Sequence, residues 1–147
     1  MLQNRIPPPI LTMALALVMG LATGWPEPAP LRWTLAFVVF MTAGAFGIPA
    51  LRAFRKAGTT IDPLRIDRVA SLVTTGVYGR TRNPMYDSLV LLVSSWALVL
   101  GGFWVWAGPL ALVLWLDRLQ IRPEEAAMAT RFGADYGAYR ARVRRWL

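Results

Sequence analysis

Three short clusters hold the residues of this chain best suited to chemistry. The first is Thr74-Thr75-Gly76-Val77-Tyr78, which predicts a tight turn ahead of basic residues. The second is Arg82-Asn83-Pro84-Met85-Tyr86. Pro84 suits the opening of a helix, where its missing N–H loses no partner and the amides just beyond it stay free. Such a helix N-terminus accepts a carboxylate, and a guanidinium such as that of Arg82 pairs with one in bidentate fashion. The third is Glu124-Glu125, which follows Pro123 and on its own reads as complementing the positive end of a helix dipole. A cation, an amide and two carboxylates suit a zwitterionic ligand. Its carboxylate meets Arg82 and the helix N-terminus, and its ammonium or hydroxyls meet a glutamate. Spacing alone does not identify that ligand.

What is absent narrows the chemistry further. Among 147 residues there is no cysteine and no histidine. That excludes disulfides, a thiolate nucleophile, Fe–S clusters, zinc fingers and an imidazole base, and no metal site is expected. Hydrophobic residues make up 56% and charged residues only 16%. An ordinary soluble domain has roughly 45–50% apolar and about 25% charged residues. The balance predicts a small all-α integral membrane protein, a single domain whose basic residues sit outside the bilayer.

Three apolar stretches are available to position the clusters. The first follows Pro7-Pro8-Pro9 and ends near Gly24-Trp25-Pro26. It competes with a signal-peptide core, since Ala22 and Gly24 are small, but three prolines ahead of such a core are unusual. The second runs from Trp33 to about Leu51. The third extends from Tyr86 to about Leu116, with Gly101-Gly102 in its middle. As one helix it reaches about 46 Å at 1.5 Å per residue, against a hydrocarbon core of about 30 Å. Two short spans joined at Gly101-Gly102 fit better. Charge supports the same count. Arg52, Arg55, Lys56, Arg65, Arg68, Arg80 and Arg82 precede this stretch, and Arg118, Arg122, Arg131, Arg140, Arg142, Arg144 and Arg145 follow it. Both groups belong on the cytoplasmic side, which requires an even number of crossings between them. The expected layout is four spans at about 10–24, 32–51, 85–101 and 103–121, a cytoplasmic connector at 52–84 and a C-terminal helix at 123–145. Both termini are then cytoplasmic, in the inner membrane. The hairpin brings Arg82, Asn83 and the two glutamates together.

In the connector, Ile66, Val69, Leu72 and Val73 predict a segment folded against something rather than a plain loop. In the C-terminal helix, Met128, Phe132, Tyr136, Tyr139, Val143 and Trp146 recur at spacings of three and four, one face of a helix, although Gly133 and Gly137 weaken it. The basic opposite face suits a membrane surface and anionic lipid. Nucleic acid is a poor partner, because the positive charge is split around hydrophobic spans.

These motifs, in this order, resemble the isoprenylcysteine carboxyl methyltransferase and phospholipid methyltransferase superfamily. The resemblance rests on Arg82-Asn83-Pro84-Met85-Tyr86, the glycine-broken hairpin, Glu124-Glu125 and Phe132-Gly133-Ala134-Asp135-Tyr136. Ala57 to Thr60 (AGTT) and the ending at Leu147 look like small bacterial members. It covers roughly the last two-thirds of the chain and implies membrane methyl transfer from S-adenosylmethionine, with S-adenosylhomocysteine as product. It places Asn83, Pro84 and Tyr86 in the cofactor site together with Arg82, Glu124 and Glu125, and Gly76 and Tyr78 in the turn that approaches it. Asn83, Tyr86 and Glu125 are the implied catalytic residues. Carboxyl-methylating members often carry His-Pro where this chain has Asn83-Pro84, and Asn-Pro-Met-Tyr is closer to phosphatidylethanolamine methyltransferases. Asp87 departs from the family's apolar or small residue; its plainer role is dipole complementation at the start of the third span.

The implied reaction is an in-line displacement in which positioning carries most of the work. A carboxylate or thiolate acceptor needs no base. An amine must first lose a proton to Glu124, Glu125, Asp87 or water. The expected partners are membrane lipids and a lipophilic acceptor entering laterally from the bilayer. A non-enzymatic alternative is a four-span transporter or lipid-organising protein. The first needs an ionisable residue inside a span, which spans one and two lack. The second gives no reason for Asn83 beside two glutamates.

Overall fold

The computed structural model describes residues 6–24, 26–27, 29–57 and 71–147. Arg65, Arg68, Ile66, Val69 and most of the AGTT motif lie outside them. Among the described residues all regular structure is helical. The helices are α1 (Pro8–Thr23), α2 (Pro30–Lys56), α3 (Pro84–Leu100), α4 (Ala107–Trp115) and α5 (Arg122–Arg142). Short 3₁₀ turns lie at Gly76–Gly79 and Trp104–Trp106, and a π-helical stretch, Leu116–Ile121, joins α4 to α5. Among the described residues one helix, α2, is long and apolar enough to cross a membrane; α1 and α3 are apolar but shorter.

Proline sets the helix starts. Pro8, Pro30 and Pro84 each stand in the opening turn of α1, α2 and α3, where no backbone donor is wasted. α3 ends at Gly101, whose N–H donates to the Ala97 carbonyl at 2.9 Å. Gly101 and Gly102 both have positive φ, 73° and 89°, which L-residues with a Cβ resist. Gly101 also leaves room for the Arg32 guanidinium, into which a Cβ would run. The expected hairpin is therefore formed at these two glycines.

The second helix turns its small residues inward and its bulky apolar ones outward. α2 buries only Ala36, Ala43 and Ala50, seven residues apart, and turns Phe37, Val38, Phe40 and Met41 outward. Those small residues let α3 approach, as in helix pairs that associate in lipid. A Cβ on Gly47 would stand 2.5 Å from Ser88 Oγ, and Ser95 Oγ donates to the Ala36 carbonyl at 2.8 Å. The pairing of 36 with 95 and 47 with 88 makes α2 and α3 antiparallel. α1 docks on α3 through Trp96 Nε1, which donates to the Ala16 carbonyl at 2.9 Å. Val93, Ala97, Leu100, Leu112, Leu116 and Ile121 form the main core with Met19 and Val105.

Two expectations about the C-terminal part are corrected. Pro123 does not open a new helix. Ile121 and Arg122 are already helical, and the Arg122 N–H donates to the Asp117 carbonyl five residues back. The widened π turn carries the chain past a proline that offers no N–H. Glu124 and Glu125 therefore do not face a free helix N-terminus, and dipole complementation does not explain them. Nor is the C-terminal helix one straight rod. Gly133 has φ 48° and ψ −119°, so α5 breaks there and the helix ends at Arg142 rather than at 145. Met128, Phe132, Tyr136, Tyr139 and Val143 still share one cluster, joined by Leu72. Trp146 lies beyond the helix and packs against the main core instead.

Candidate functional site

The break at Gly133 builds the site. A straight helix would separate residues 125 and 145 by about 30 Å. Instead Arg145 Nη2 donates to Glu125 Oε2 at 2.6 Å. The returning tail is stitched to the start of α3. The Arg82 N–H donates to the Arg144 carbonyl at 2.9 Å, and Asn83 Nδ2 to the Arg145 carbonyl at 2.9 Å. Asp87 accepts from Thr81 Oγ1 at 2.6 Å and from the Leu147 N–H at 3.4 Å. Asp87 is thus a buried clasp for the tail, a role beyond the dipole effect expected of it.

Glu125 joins two cations. Arg82 Nη2 donates to its Oε1 at 2.7 Å, and Arg145 holds its Oε2. Arg145 also reaches Asp117 Oδ1 at 2.9 Å, and Arg122 pairs with Asp117 Oδ2 at 2.9 Å. Burial alone would raise the Glu125 pKa, but the hydrogen bonds from Arg145 and Arg82 outweigh it and hold the carboxyl below its ordinary range. The same pairing raises the pKa of Arg145. Arg82 Nη1 further donates to the Val143 carbonyl at 2.5 Å. Its guanidinium is therefore not open to a ligand carboxylate as the sequence suggested; it is occupied by Glu125 and the tail.

Glu124 is in a different setting. Its Oε1 accepts from Tyr86 Oη at 2.7 Å and from Gln120 Nε2 at 2.5 Å. Burial pushes its pKa up, and the neighbouring Glu125 charge adds to that. Two adjacent carboxyls thus have opposite shifts, because one is ion-paired and the other, among the described residues, is buried without a cation. Glu124 borders a cavity of about 100 Å³ that is also lined by Phe54, Tyr78, Asn83, Pro84, Tyr86, Glu125, Met128, Tyr136 and Tyr139. The Tyr78 hydroxyl is buried and, among the described residues, has no hydrogen-bond partner. Burial, then the Tyr139 and Glu124 charges, raise its pKa. Tyr139 Oη donates to the Tyr78 carbonyl at 2.7 Å, fixing the turn against the cavity. Aromatic faces around one carboxylate suit a cationic centre.

Of the residues singled out from sequence, Tyr78, Arg82, Asn83, Pro84, Tyr86, Glu124 and Glu125 meet at this cavity. Gly76 stands at the entry of the 3₁₀ turn with φ 64° and does not line it. Sequence reasoning missed Phe54, Asp117, Gln120 and Arg145. Phe54 reaches the cavity because α2 continues past residue 51 to Lys56. A signal existed for Gln120: it lies four residues before Glu124, one helical turn away.

A second, larger hollow of about 590 Å³ adjoins the first. It lies between Pro7–Pro9, α2 and α3, with Phe40, Met41, Ile48, Leu51, Leu89 and Leu92 among its walls. Met85 and Tyr86 line both hollows. Asp87 lines neither.

The phospholipid methyltransferase family matches residues 31–135 of the chain. An uncharacterized protein of Haemophilus influenzae is 40% identical over 63 residues, which is 43% of this chain and the whole of that protein. No solved structure matches.

Proposed function

The chain belongs to the phospholipid methyltransferase family, and from that premise we propose that it is an integral-membrane, S-adenosylmethionine-dependent methyltransferase acting on a lipophilic acceptor at the cytoplasmic face. The observation that carries the reading is the junction at Tyr86. A small cavity with largely apolar walls, holding the Glu124 carboxyl and the Tyr78 hydroxyl (unpartnered among the described residues), meets an apolar groove there. A donor with a charged centre suits the first hollow, and a hydrocarbon chain suits the second.

The four-helix layout supports a membrane setting. Trp33, Phe103, Trp104 and Trp106 are exposed together at the end opposite the site, where an aromatic belt belongs. Arg52, Arg55, Arg140, Arg142 and Arg144 are exposed at the site end. That arrangement favours four crossings with the site on the cytoplasmic side.

The residues present fit the donor by chemistry. Glu124 and the Tyr78 hydroxyl would hold its ammonium or hydroxyl groups, and the surrounding tyrosines and Met128 its charged centre. S-adenosylmethionine, when bound, supplies an electrophilic methyl group on a sulfonium that leaves as a neutral thioether. The protein's part is to align the two ligands and exclude water, which favours loss of charge at sulfur. Tyr86 stands between the hollows and orients Glu124. For an amine acceptor the proton goes to Glu124: Glu125 is occupied by two guanidiniums, and Asp87 lies outside both hollows. Asn83 positions the tail through the Arg145 carbonyl.

Two measurements test this. S-adenosylhomocysteine at about 100 times its Kd stabilises a binding protein by about 2.7 kcal/mol, so the melting temperature of the detergent-solubilised protein is expected to rise by several degrees. No rise at millimolar ligand defeats the assignment. Lipid extract incubated with protein and methyl-labelled S-adenosylmethionine is expected to yield a labelled lipid, whose mass identifies the acceptor.

A further inference from the structure

Gln120 is fully buried at the end of the last apolar pass, where a leucine would pack without polar cost. It sits on the π-helical stretch, one helical turn before Glu124. Its Nε2 donates to Glu124 Oε1, and its own carbonyl oxygen is buried without a partner among the described residues. A glutamine kept only for packing has no need of that orphaned acceptor. Tyr86 Oη donates to the same Glu124 oxygen from α3. Two donors from two helices thus converge on Oε1. Among the described residues no hydrogen bond is made to Oε2, and Glu124 borders the cavity.

We propose that Gln120 is a positioning residue for Glu124: with Tyr86 it pins one carboxylate oxygen, turns the other toward the cavity and favours the ionised form that receives a cationic or hydroxyl-bearing ligand group. This role rests on the methyltransferase reading and deepens it.

The groups facing Glu124 leave its titration distinguishable. From its own helix comes Glu125, held low by Arg82 and Arg145. From the 3₁₀ turn comes Tyr78, pushed up by burial. From beyond the Gly133 break come Tyr136, also raised, and Tyr139, pushed up to about 12 by burial. From α3 and the residues before it come Tyr86, Asn83 and Arg82. Removing a donor to a carboxylate weakens its ionised form, so the pKa of Glu124 rises. Ligand affinity then needs a higher pH to reach its plateau.

The experiment is calorimetric titration of S-adenosylhomocysteine across pH, in wild type and in Gln120→Met, which keeps the side chain's length and removes the amide. A hydrogen bond to a charged group corresponds to an upward shift of the affinity midpoint by about one pH unit. The plateau affinity at high pH is expected to stay near wild type. If Gln120→Met does not fold, Gln120→Glu preserves size and polarity. It adds a second carboxyl beside Glu124 and is also expected to move the upper midpoint upward. An unchanged midpoint in the variant that folds overturns the role of Gln120 while leaving the methyltransferase reading intact. Absence of binding by wild type defeats that reading, and the role with it.

Discussion

Glu125→Ala is expected to be the most damaging single change at the site, lowering stability by about 3–5 kcal/mol, the usual cost of breaking a buried ion pair. The reason lies less in lost attraction than in what is left behind. The Arg82 side chain is only 9% exposed and the Arg145 side chain 28%. Without the carboxylate, two guanidiniums face each other across a hole. Arg145 keeps Asp117, but among the described residues the Arg82 guanidinium keeps only the carbonyls of Val143 and Arg140. Thermal unfolding in detergent measures the loss, and S-adenosylhomocysteine binding is expected to disappear with it. A Glu125→Ala protein that melts like wild type and binds with unchanged affinity would contradict the ion-pair account.

The same residue gives a pH signature with a definite sign. The Glu125 carboxyl has a lower pKa in the folded chain than the ordinary value of about 4.3. Its contribution to stability is therefore full above that value and is lost as pH falls through the folded pKa. Glu125→Gln, which cannot ionise, is expected to be less stable than wild type at neutral pH, with the gap narrowing as the solution is acidified. Glu124 has the opposite shift and does not share this behaviour.

The parts of the fold legible in the sequence were those written in local chemistry. Gly101-Gly102 marked the hairpin because positive φ at consecutive residues needs glycine. The division of arginines into two groups put Arg82 and Arg145 at one end of the molecule, and they are found there. Seven of the eight candidate site residues converge on the cavity: Arg82, Asn83, Pro84 and Tyr86 stand at the start of α3, Glu124 and Glu125 just past the last apolar run, and Tyr78 in the turn ahead of α3. The illegible parts depend on distance along the chain. Nothing local distinguishes Gly133, which breaks α5, from Gly137, which stays inside it. Nothing local selects Arg145 from the other C-terminal arginines as the partner of Glu125. Pro123 looked like a helix start because a proline inside a helix is costly, and a π turn that accommodates it leaves no mark in composition.

Gly133→Val is expected to uncouple the tail from the site, and it does so without a clash. A Cβ built on Gly133 meets nothing within 4 Å, so the whole effect comes from the backbone. At φ 48° and ψ −119°, a β-branched residue pays about 1–3 kcal/mol to hold the turn. The chain escapes that strain by taking ordinary helical angles, and α5 then runs on straight. Tyr136 and Tyr139 leave Leu72 and Tyr78, and Arg145 leaves Glu125. Trypsin is expected to cut faster at Arg140 to Arg145 in this variant, and S-adenosylhomocysteine to stabilise it far less. A double-mutant cycle with Arg145→Ala separates this account from general damage. Once the tail is released, Arg145 has no ion pair left to lose, so the double variant is expected to be no less stable than the weaker of the two single ones. Strictly additive losses would mean that Gly133 and the Arg145–Glu125 pair act independently, and that the reversal does not serve to deliver the tail.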